Sequence, residues 1–251
     1  MERDDLASLV GFFSADQPLS PGVTLSLGDE AAHHARVRRL ENGTSVFVAD
    51  GVGARGVGRI VRLTKQEVEV ALDEVHRSPR LPAVHLLVPI GDKDRMLWCA
   101  EKCTELGATT WTPVLWNRSR SVSPRGEGSA FQERVRARMR SALVQSHGAW
   151  LPDIPDDASI DRVLADPVPD ATRLVLDVSG EAIGHAHVAE PVTIAVGPEG
   201  GFEAEELRRL RDARFRPVSL GANVLRFETA AVAALAIVRA ALEVPPENAN
   251  G

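Results

Sequence analysis

The sequence predicts an α/β fold in which a small β-rich domain precedes a larger domain built on a mostly parallel sheet. In residues 1–76, short stretches alternate apolar and polar residues between Gly or Asp turns, which is typical of strands with one face in water. In residues 83–251, near-continuous apolar stretches alternate with helical periodicity, which indicates a parallel sheet covered by helices. Residues 77–82 hold two prolines and two arginines and are predicted to be a linker.

The pattern of the first domain predicts four strands and one helix. Asp29 is expected to cap the helix, which Asn42 and Gly43 end. The strands are expected at residues 24–27, 46–49, 56–63 and 67–72.

In the second domain, five apolar strands alternate with four helices. The strands are expected at residues 84–88, 110–115, 174–177, 192–196 and 217–220. The helices are expected at residues 93–106, 131–145, 203–211 and 228–242. Gly107 is expected to end the first of these helices.

Composition limits the function classes. The formal net charge of -6 argues against a chain bound to nucleic acid by overall charge, although a locally basic face is compatible with it. Cys99 and Cys103 lie four residues apart, so we expect two free thiols on one helix face and a reduced, cytoplasmic protein. Because no histidines cluster with this pair, no metal site is predicted.

No membrane association is predicted. Glu2, Asp4 and Asp5 are unlike the start of a secretory signal. The longest apolar run, residues 230–238, is too short to span a bilayer.

Two glycine-bearing loops carry the strongest functional signal. Residues 197–202 read Gly-Pro-Glu-Gly-Gly-Phe, and residues 220–230 read Leu-Gly-Ala-Asn-Val-Leu-Arg-Phe-Glu-Thr-Ala. Each follows an apolar strand and leads into a helix, so together they predict a pocket in which backbone groups approach a small ligand. Neither loop has the Gly-Lys-Ser/Thr of a phosphate-binding loop or the G-x-G-x-x-G of dinucleotide binders.

These two loops resemble the RsmE family of 16S ribosomal RNA uridine N3-methyltransferases, which belong to the knotted SPOUT superfamily. The resemblance extends over nearly the whole chain and includes further matching blocks. These are His33-His34 with Val37 and Leu40, residues 93–96, residues 101–107, Arg118-Ser119 and Gln145-Ser146. Where the family commonly has Thr, this chain has Phe227.

The resemblance implies a PUA-like β-barrel for RNA binding, followed by an α/β domain with a C-terminal trefoil knot. It also implies a homodimer that binds S-adenosylmethionine in the knot and acts on 16S rRNA or the small ribosomal subunit. The implied cofactor-binding residues are Leu176, Gly197, Pro198, Glu199, Gly200, Gly201, Ser219, Leu220, Gly221, Val224, Leu225, Arg226 and Thr229.

Methylation at N3 of uracil requires removal of the imide proton, because the protonated nitrogen has no free lone pair. The predicted catalytic residues are therefore one cation and two carboxylates. We expect Arg226 to stabilise the negative charge of the deprotonated uracil, and Glu199 or Glu228 to orient the base or accept the proton.

Aromatic residues make up 4% of the chain and tyrosine is absent from it, so phosphate contacts are expected to dominate RNA binding. The predicted RNA-binding residues are His33, His34, Arg36, Arg38, Arg39, Arg55, Arg118 and Arg120, with Arg59 and Arg125 as further candidates. The alternatives are a knotted ribose 2′-O-methyltransferase of tRNA or rRNA, and a non-catalytic RNA-binding factor of ribosome assembly.

Overall fold

The computed structural model describes residue 9, residues 11–121 and residues 125–242, which form two compact units. The first unit contains the chain up to Arg80 together with Met139–Leu151, and the second contains Leu81–Arg138 and the chain from Pro152 onward. Residues 139–151 lie within the range that the sequence assigned to the second domain. Their apolar side chains, Leu143 and Val144 among them, pack against Phe47 of the first unit.

A mixed five-stranded sheet forms the first unit. Its strands are β1 (Gly11–Ser14), β2 (Thr24–Leu27), β3 (Ser45–Ala49), β4 (Ala54–Leu63) and β5 (Val68–Arg77), in the order β1-β3-β4-β5-β2. β1 pairs with β3 in parallel, and the other pairs are antiparallel. The four predicted strands are present, and β1 was not predicted.

The helix between β2 and β3, α1 (Asp29–Val37), packs Ala32 and Ala35 into the core of this unit. The prediction that Asp29 caps it is wrong, because Gly28 occupies the cap position and forms no side-chain cap bond. Asp29 is the first helical residue, where a carboxylate complements the helix dipole. The helix ends before the predicted Asn42-Gly43 turn, since Arg39 already adopts a φ of 56°.

The second unit contains a six-stranded sheet in which every strand pair is parallel. Its strands are β6 (Val84–Pro89), β7 (Thr110–Leu115), β8 (Ala158–Ser159), β9 (Thr172–Ala182), β10 (Val192–Ala195) and β11 (Arg216–Ser219), in the order β11-β9-β10-β6-β7-β8. The predicted parallel α/β architecture is confirmed. The short β8 was not predicted, because two residues give no periodicity.

Among the described residues, five α-helices follow in chain order from β6 onward: α2 (Lys93–Glu105), α3 (Ser129–Gln145), α4 (Ile160–Ala165), α5 (Ala204–Asp212) and α6 (Phe227–Leu242). All were predicted except the six-residue α4. Gly107 ends α2 with a φ of 74°, as expected. Cys99 and Cys103 are buried and free on α2, with their sulfur atoms 3.7 Å apart. The contact with Cys99, together with burial, raises the pKa of the Cys103 thiol.

Candidate active site

The two glycine loops line one cavity of about 320 Å³ beside β9, β10 and β11. Eleven of the thirteen predicted cofactor-binding residues lie on its wall. They are Leu176, Gly197, Pro198, Glu199, Gly200, Gly201, Ser219, Leu220, Gly221, Val224 and Leu225. Arg226 and Thr229 are exposed and do not line it. The prediction that the two loops form one pocket is therefore confirmed, although a helix and a strand separate them in the sequence.

The first loop (residues 197–202) is a tight turn bonded to its surroundings. The Gly201 N–H donates to the Pro198 carbonyl at 2.8 Å, and Gly201 has a φ of 69°, which favours glycine. Arg118 donates to the Gly200 carbonyl. The Phe202 ring packs edge-to-face on Trp116, with centroids 4.9 Å apart. Backbone, cation and ring contacts together determine the position of this loop.

The helix that follows the first loop is also anchored. Glu203 and Glu206 form a capping box at the start of α5. The Glu206 carboxylate is buried and accepts from the Asn117 N–H at 2.8 Å, while the Asn117 side chain donates to Glu203 at 3.0 Å. The first loop thus ends in a helix start that is bonded to the segment after β7.

The second loop (residues 220–226) has a different character. Gly221 has a φ of 130°, and a side chain added there would have open space around it. The side chains of Val224 and Leu225 are 85% and 37% exposed. Within the described ranges, no side chain of this loop forms a hydrogen bond or ion pair. The cavity thus has one bonded wall and one open wall.

Arg95 connects the two predicted catalytic carboxylates. Its guanidinium forms an ion pair with Glu199, and its Nε lies 3.9 Å from Glu228 Oε1. Glu228 is 8% exposed, and its Oε2 has no hydrogen-bond partner among the described residues. Glu199 lines the cavity, whereas Glu228 does not. The Arg226 side chain has no hydrogen bond or ion pair within the described residues, so Arg95 is the arginine that the structure pairs with these carboxylates.

The sequence prediction missed Arg95 as a site residue. A signal existed, because Arg95 lies in the first turn of α2, where the helix dipole favours anions. Asp92 caps this turn by accepting from the N–H groups of Asp94 and Arg95, each at 3.1 Å. A cation in that turn indicates a specific anionic partner elsewhere in the chain.

Phe227, at the position where a threonine was expected, forms part of the cavity wall. Its ring is 3% exposed and lies against Gly91, where an added Cβ would approach the ring to 3.1 Å. The glycine at position 91 therefore leaves room for the larger side chain at 227. Phe227 thus lines the cavity as the first residue of α6.

In the first unit, some of the predicted RNA-binding side chains form hydrogen bonds within the protein and others are exposed. Arg36 donates to the carbonyls of Thr64 and Lys65, and Arg55 donates to the His147 carbonyl at 3.0 Å. His33, Arg38 and Arg39 are exposed. Arg38 and Arg39 form no side-chain bond to any described residue.

His34 is half-buried against the Phe13 ring, with centroids 5.9 Å apart. Burial and the nearby Arg38 lower the pKa of His34. The imidazole is therefore neutral at pH 7 and adds no positive charge to this surface.

In the second unit, Arg118 is exposed but bonded to the first loop. The side chain of Arg120 lies outside the described residues. Of the further candidates, Arg59 of the first unit pairs with Asp73 at 3.4 Å, and Arg125 of the second unit pairs with Glu127 at 2.9 Å. Arg38 and Arg39 are thus the predicted RNA-binding arginines most available to a phosphate.

Two family models match this chain. Residues 78–239 match the RNA methyltransferase domain, and residues 27–73 match the RNA methyltransferase PUA domain. The chain belongs to the RNA methyltransferase family. As a member of this family the protein is an enzyme, and its first unit contains a PUA domain, as the resemblance implied.

The individual relatives of this chain agree with the family assignment. Ribosomal RNA small subunit methyltransferase E of Mycobacterium bovis is 32% identical over 246 residues, with 90% of each chain covered. A methyltransferase of Legionella pneumophila in complex with S-adenosylmethionine has a TM-score of 0.82, 27% identity and coverage of 93% and 98%. Ribosomal RNA small subunit methyltransferase E of Neisseria gonorrhoeae, bound to S-adenosylmethionine, has a TM-score of 0.82, 26% identity and coverage of 92% and 97%.

In the described part of the chain, no helix has both the length and the apolar character that a membrane span requires. No group of three or more His, Cys, Asp or Glu side chains in this part of the chain is arranged to hold a metal ion.

Proposed function

We propose that this RNA methyltransferase uses S-adenosylmethionine to methylate N3 of a uridine in 16S ribosomal RNA. The observation that carries the proposal is the cavity formed by the two glycine loops. Relatives that cover 90% or more of this chain support it, since they are named ribosomal RNA small subunit methyltransferase E or hold S-adenosylmethionine.

The residues of the cavity fit the cofactor. Gly200, Gly201 and Gly221 line the cavity without side chains, so a ligand can approach the backbone closely there. Leu220 and Leu225 supply an apolar surface for a purine ring. The volume of about 320 Å³ lies within the range of small-molecule sites. When bound, S-adenosylmethionine supplies an electrophilic methyl group on a sulfonium sulfur.

For the proton transfer, Glu199 is the better placed of the two predicted carboxylates, because it lines the cavity and Glu228 does not. Asp177 also lines the cavity, but its carboxylate accepts from the N–H and hydroxyl of Ser179. In the proposed step Glu199 accepts the N3 proton of uracil. The N3 lone pair then forms the new bond to the methyl carbon, as the carbon–sulfur bond breaks and its electron pair stays on sulfur.

Arg95 and Glu228 are proposed as positioning residues. Arg95 forms ion pairs with both carboxylates, so it orients Glu199 against the cavity while Glu228 orients Arg95. Arg95 also places positive charge beside the site where uracil loses its proton. Arg226 follows Leu225 in the sequence but does not itself line the cavity. Its predicted role, stabilising the negative charge of the deprotonated uracil, stays a proposal.

The proposed substrate partner is 16S rRNA or the small ribosomal subunit, and we propose cytoplasmic action by a homodimer. Exposed apolar side chains on α2, the second loop and α6 support a dimer, because large side chains of this kind are usual at protein interfaces. They are Trp98, Val224, Leu225 and Ile237, exposed by 44%, 85%, 37% and 37%. Sedimentation equilibrium of the wild type and of Trp98→Asp tests this assembly, which the substitution should weaken.

Nucleoside mass spectrometry tests the proposed reaction. Small subunits or 16S rRNA from cells that lack this protein are incubated with it and S-adenosylmethionine, then digested to nucleosides. We expect 3-methyluridine in amounts approaching one per 16S molecule. A 2′-O-methylated nucleoside would support the ribose methyltransferase alternative. Cofactor binding without any methylated nucleoside in either substrate would contradict the proposed function.

A further inference from the structure

A row of polar side chains crosses the parallel sheet near the amino-terminal ends of its strands. Directly paired residues on neighbouring strands point to the same face of a sheet. The four consecutive partners across β9, β10, β6 and β7 are Arg173, Thr193, His85 and Thr110. The next row on that face is Val175, Ala195, Leu87 and Thr112. Strands covered on both faces are normally apolar, so the first row is an exception within this sheet.

A second cavity, of about 240 Å³, lies against this polar row. Its apolar wall includes Leu87, Ala158 and Phe215, and charged Asp156 and Arg162 lie at its exposed rim. All of these residues belong to the second unit, and none of them lines the cavity between the glycine loops. The fold therefore provides a concave surface that the methyl-transfer site does not use.

Thr193 is the group in this cavity that most needs a partner. Its side chain is 6% exposed, and its hydroxyl oxygen has no hydrogen-bond partner among the described residues. A buried hydroxyl without a partner costs free energy, and most buried polar groups in native proteins are bonded. Because Thr193 lines the cavity, a ligand there can supply the bond.

The neighbouring His85 can donate one hydrogen bond and accept another. Its Nδ1 lies 2.9 Å from the Thr110 hydroxyl. Burial lowers the pKa of His85, and the nearby Asp153 opposes this shift only in part. The imidazole is therefore neutral at pH 7, with one donor and one acceptor nitrogen.

We propose that this cavity binds a nucleobase, either of a free nucleoside or of an unpaired residue of RNA. The polar row offers two hydroxyls and a neutral imidazole, which match the alternating donors and acceptors on the edge of a base. The apolar wall suits the face of a flat ring. At the rim, Asp156 and Arg162 are placed where ribose hydroxyls would lie.

An anion fits this cavity less well. The Arg173 guanidinium already donates to the carbonyls of Ala213 and Val168, at 2.9 and 3.2 Å. The carboxylates of Asp156 and Asp166 line the same cavity and would repel a phosphate. An uncharged heteroaromatic ring meets neither obstacle.

Ligand-detected NMR tests the proposal on the full-length protein. Uridine, cytidine, adenosine and guanosine are titrated in turn, with S-adenosylhomocysteine in excess to compete at the cavity between the glycine loops. We expect at least one nucleoside to bind, with intermolecular NOEs from its ring protons to Phe215 and Leu87. Thr193→Val should weaken this binding by about tenfold, since one hydrogen bond to a buried group is worth roughly that factor. Thr24→Val, an exposed change on β2, should leave it unchanged.

A second arm identifies the source of the base. Single-stranded tetranucleotides of each base are titrated in the same way into the wild type and into Thr193→Val. Binding of a tetranucleotide but not of the free nucleoside, with the same loss in Thr193→Val, assigns the cavity to a base of RNA. The proposal is overturned if no probe binds at millimolar concentration, if Thr193→Val binds as well as the wild type, or if the NOEs arise from the second loop. Should Thr193→Val fail to fold, the NOEs of the wild type decide.

Discussion

The two glycine loops line the same cavity but differ in how the rest of the chain supports them. The first loop is bonded through Arg95, Arg118 and the Phe202–Trp116 ring contact. The second loop makes no side-chain bond within the described residues and exposes Val224 and Leu225. A side chain that takes part in the reaction must be held in a fixed position, whereas a surface that binds a ligand must have room for that ligand. We therefore propose that the first loop carries the chemistry and that the second loop binds the cofactor ring.

The largest loss of activity is expected for a substitution in the first loop, which forms the bonded wall of the cavity. Glu199→Gln should lower single-turnover methylation by about 100-fold or more, because general base catalysis contributes at least that much. S-adenosylmethionine affinity should change by no more than about threefold, since the side chain acts on the uracil proton. Radiolabelled methyl incorporation and calorimetry measure the two quantities.

The matched control for this change is Glu205→Gln, an exposed carboxylate of α5 that bonds to Arg208. It should methylate as fast as the wild type. If Glu199→Gln also retained the wild-type rate, the assignment of proton transfer to the first loop would be wrong.

Arg95→Gln should have the next largest effect. Turnover is expected to fall by about tenfold, because Glu199 loses the group that orients it and the site loses a positive charge. Arg95→Lys keeps the charge without the guanidinium fork, so it should restore part of the rate. A purely structural role would lower the melting temperature of Arg95→Gln with no change in turnover at a temperature where the variant is folded.

On the open wall, Gly221→Ala should weaken S-adenosylmethionine binding by about fivefold. A φ of 130° is unfavourable for alanine by roughly 1 kcal/mol or more, so the loop would shift away from its present conformation. Gly184→Ala is the control, because an added Cβ there also meets open space and the backbone lacks a positive φ. Equal affinities of the two variants in calorimetry would show that the conformation of the second loop does not matter for binding.

The smallest effect is expected away from both loops, on the RNA surface of the first unit. Arg38→Ala together with Arg39→Ala should weaken rRNA binding severalfold. The slope of log affinity against log salt should fall in magnitude by about 1.4 if both contact phosphates, because fewer counterions are then released on binding. The double change Arg208→Ala and Arg211→Ala on α5 is the control. A salt series with an unchanged slope in the first variant would remove these two arginines from the RNA-binding set.

The sequence predicted the elements whose signals are local. The apolar stretches and glycine turns of the second unit gave its strands and longer helices, and the two glycine loops gave eleven residues of the cavity wall. The strand β1 was missed, because its stability comes from parallel pairing with β3, whose paired residues lie 35 positions away in the sequence. The packing of Met139–Leu151 with the first unit is a long-range contact of the same kind.

Within the site, what the sequence could not predict was which charges pair. Arg95 and Glu199 are 104 positions apart. The place of Arg95 at the start of a helix indicates an anionic partner, but it does not distinguish Glu199 from the other carboxylates of the chain. For the same reason the side chain of Arg226, between apolar neighbours, could not be placed relative to the cavity. The trefoil knot implied by the resemblance stays a prediction, because no local signal specifies how a chain threads.

The most direct test of the central claim is calorimetric titration of S-adenosylmethionine into the wild type and two variants of α6. Ala230 lines the cavity, so Ala230→Phe should fill part of it, whereas Ala233→Phe adds the same ring outside the cavity wall. We predict binding of one cofactor per chain in the wild type and in Ala233→Phe, and loss of binding in Ala230→Phe. Undiminished binding in a folded Ala230→Phe would contradict the account, because the cofactor would then bind somewhere other than between the two glycine loops.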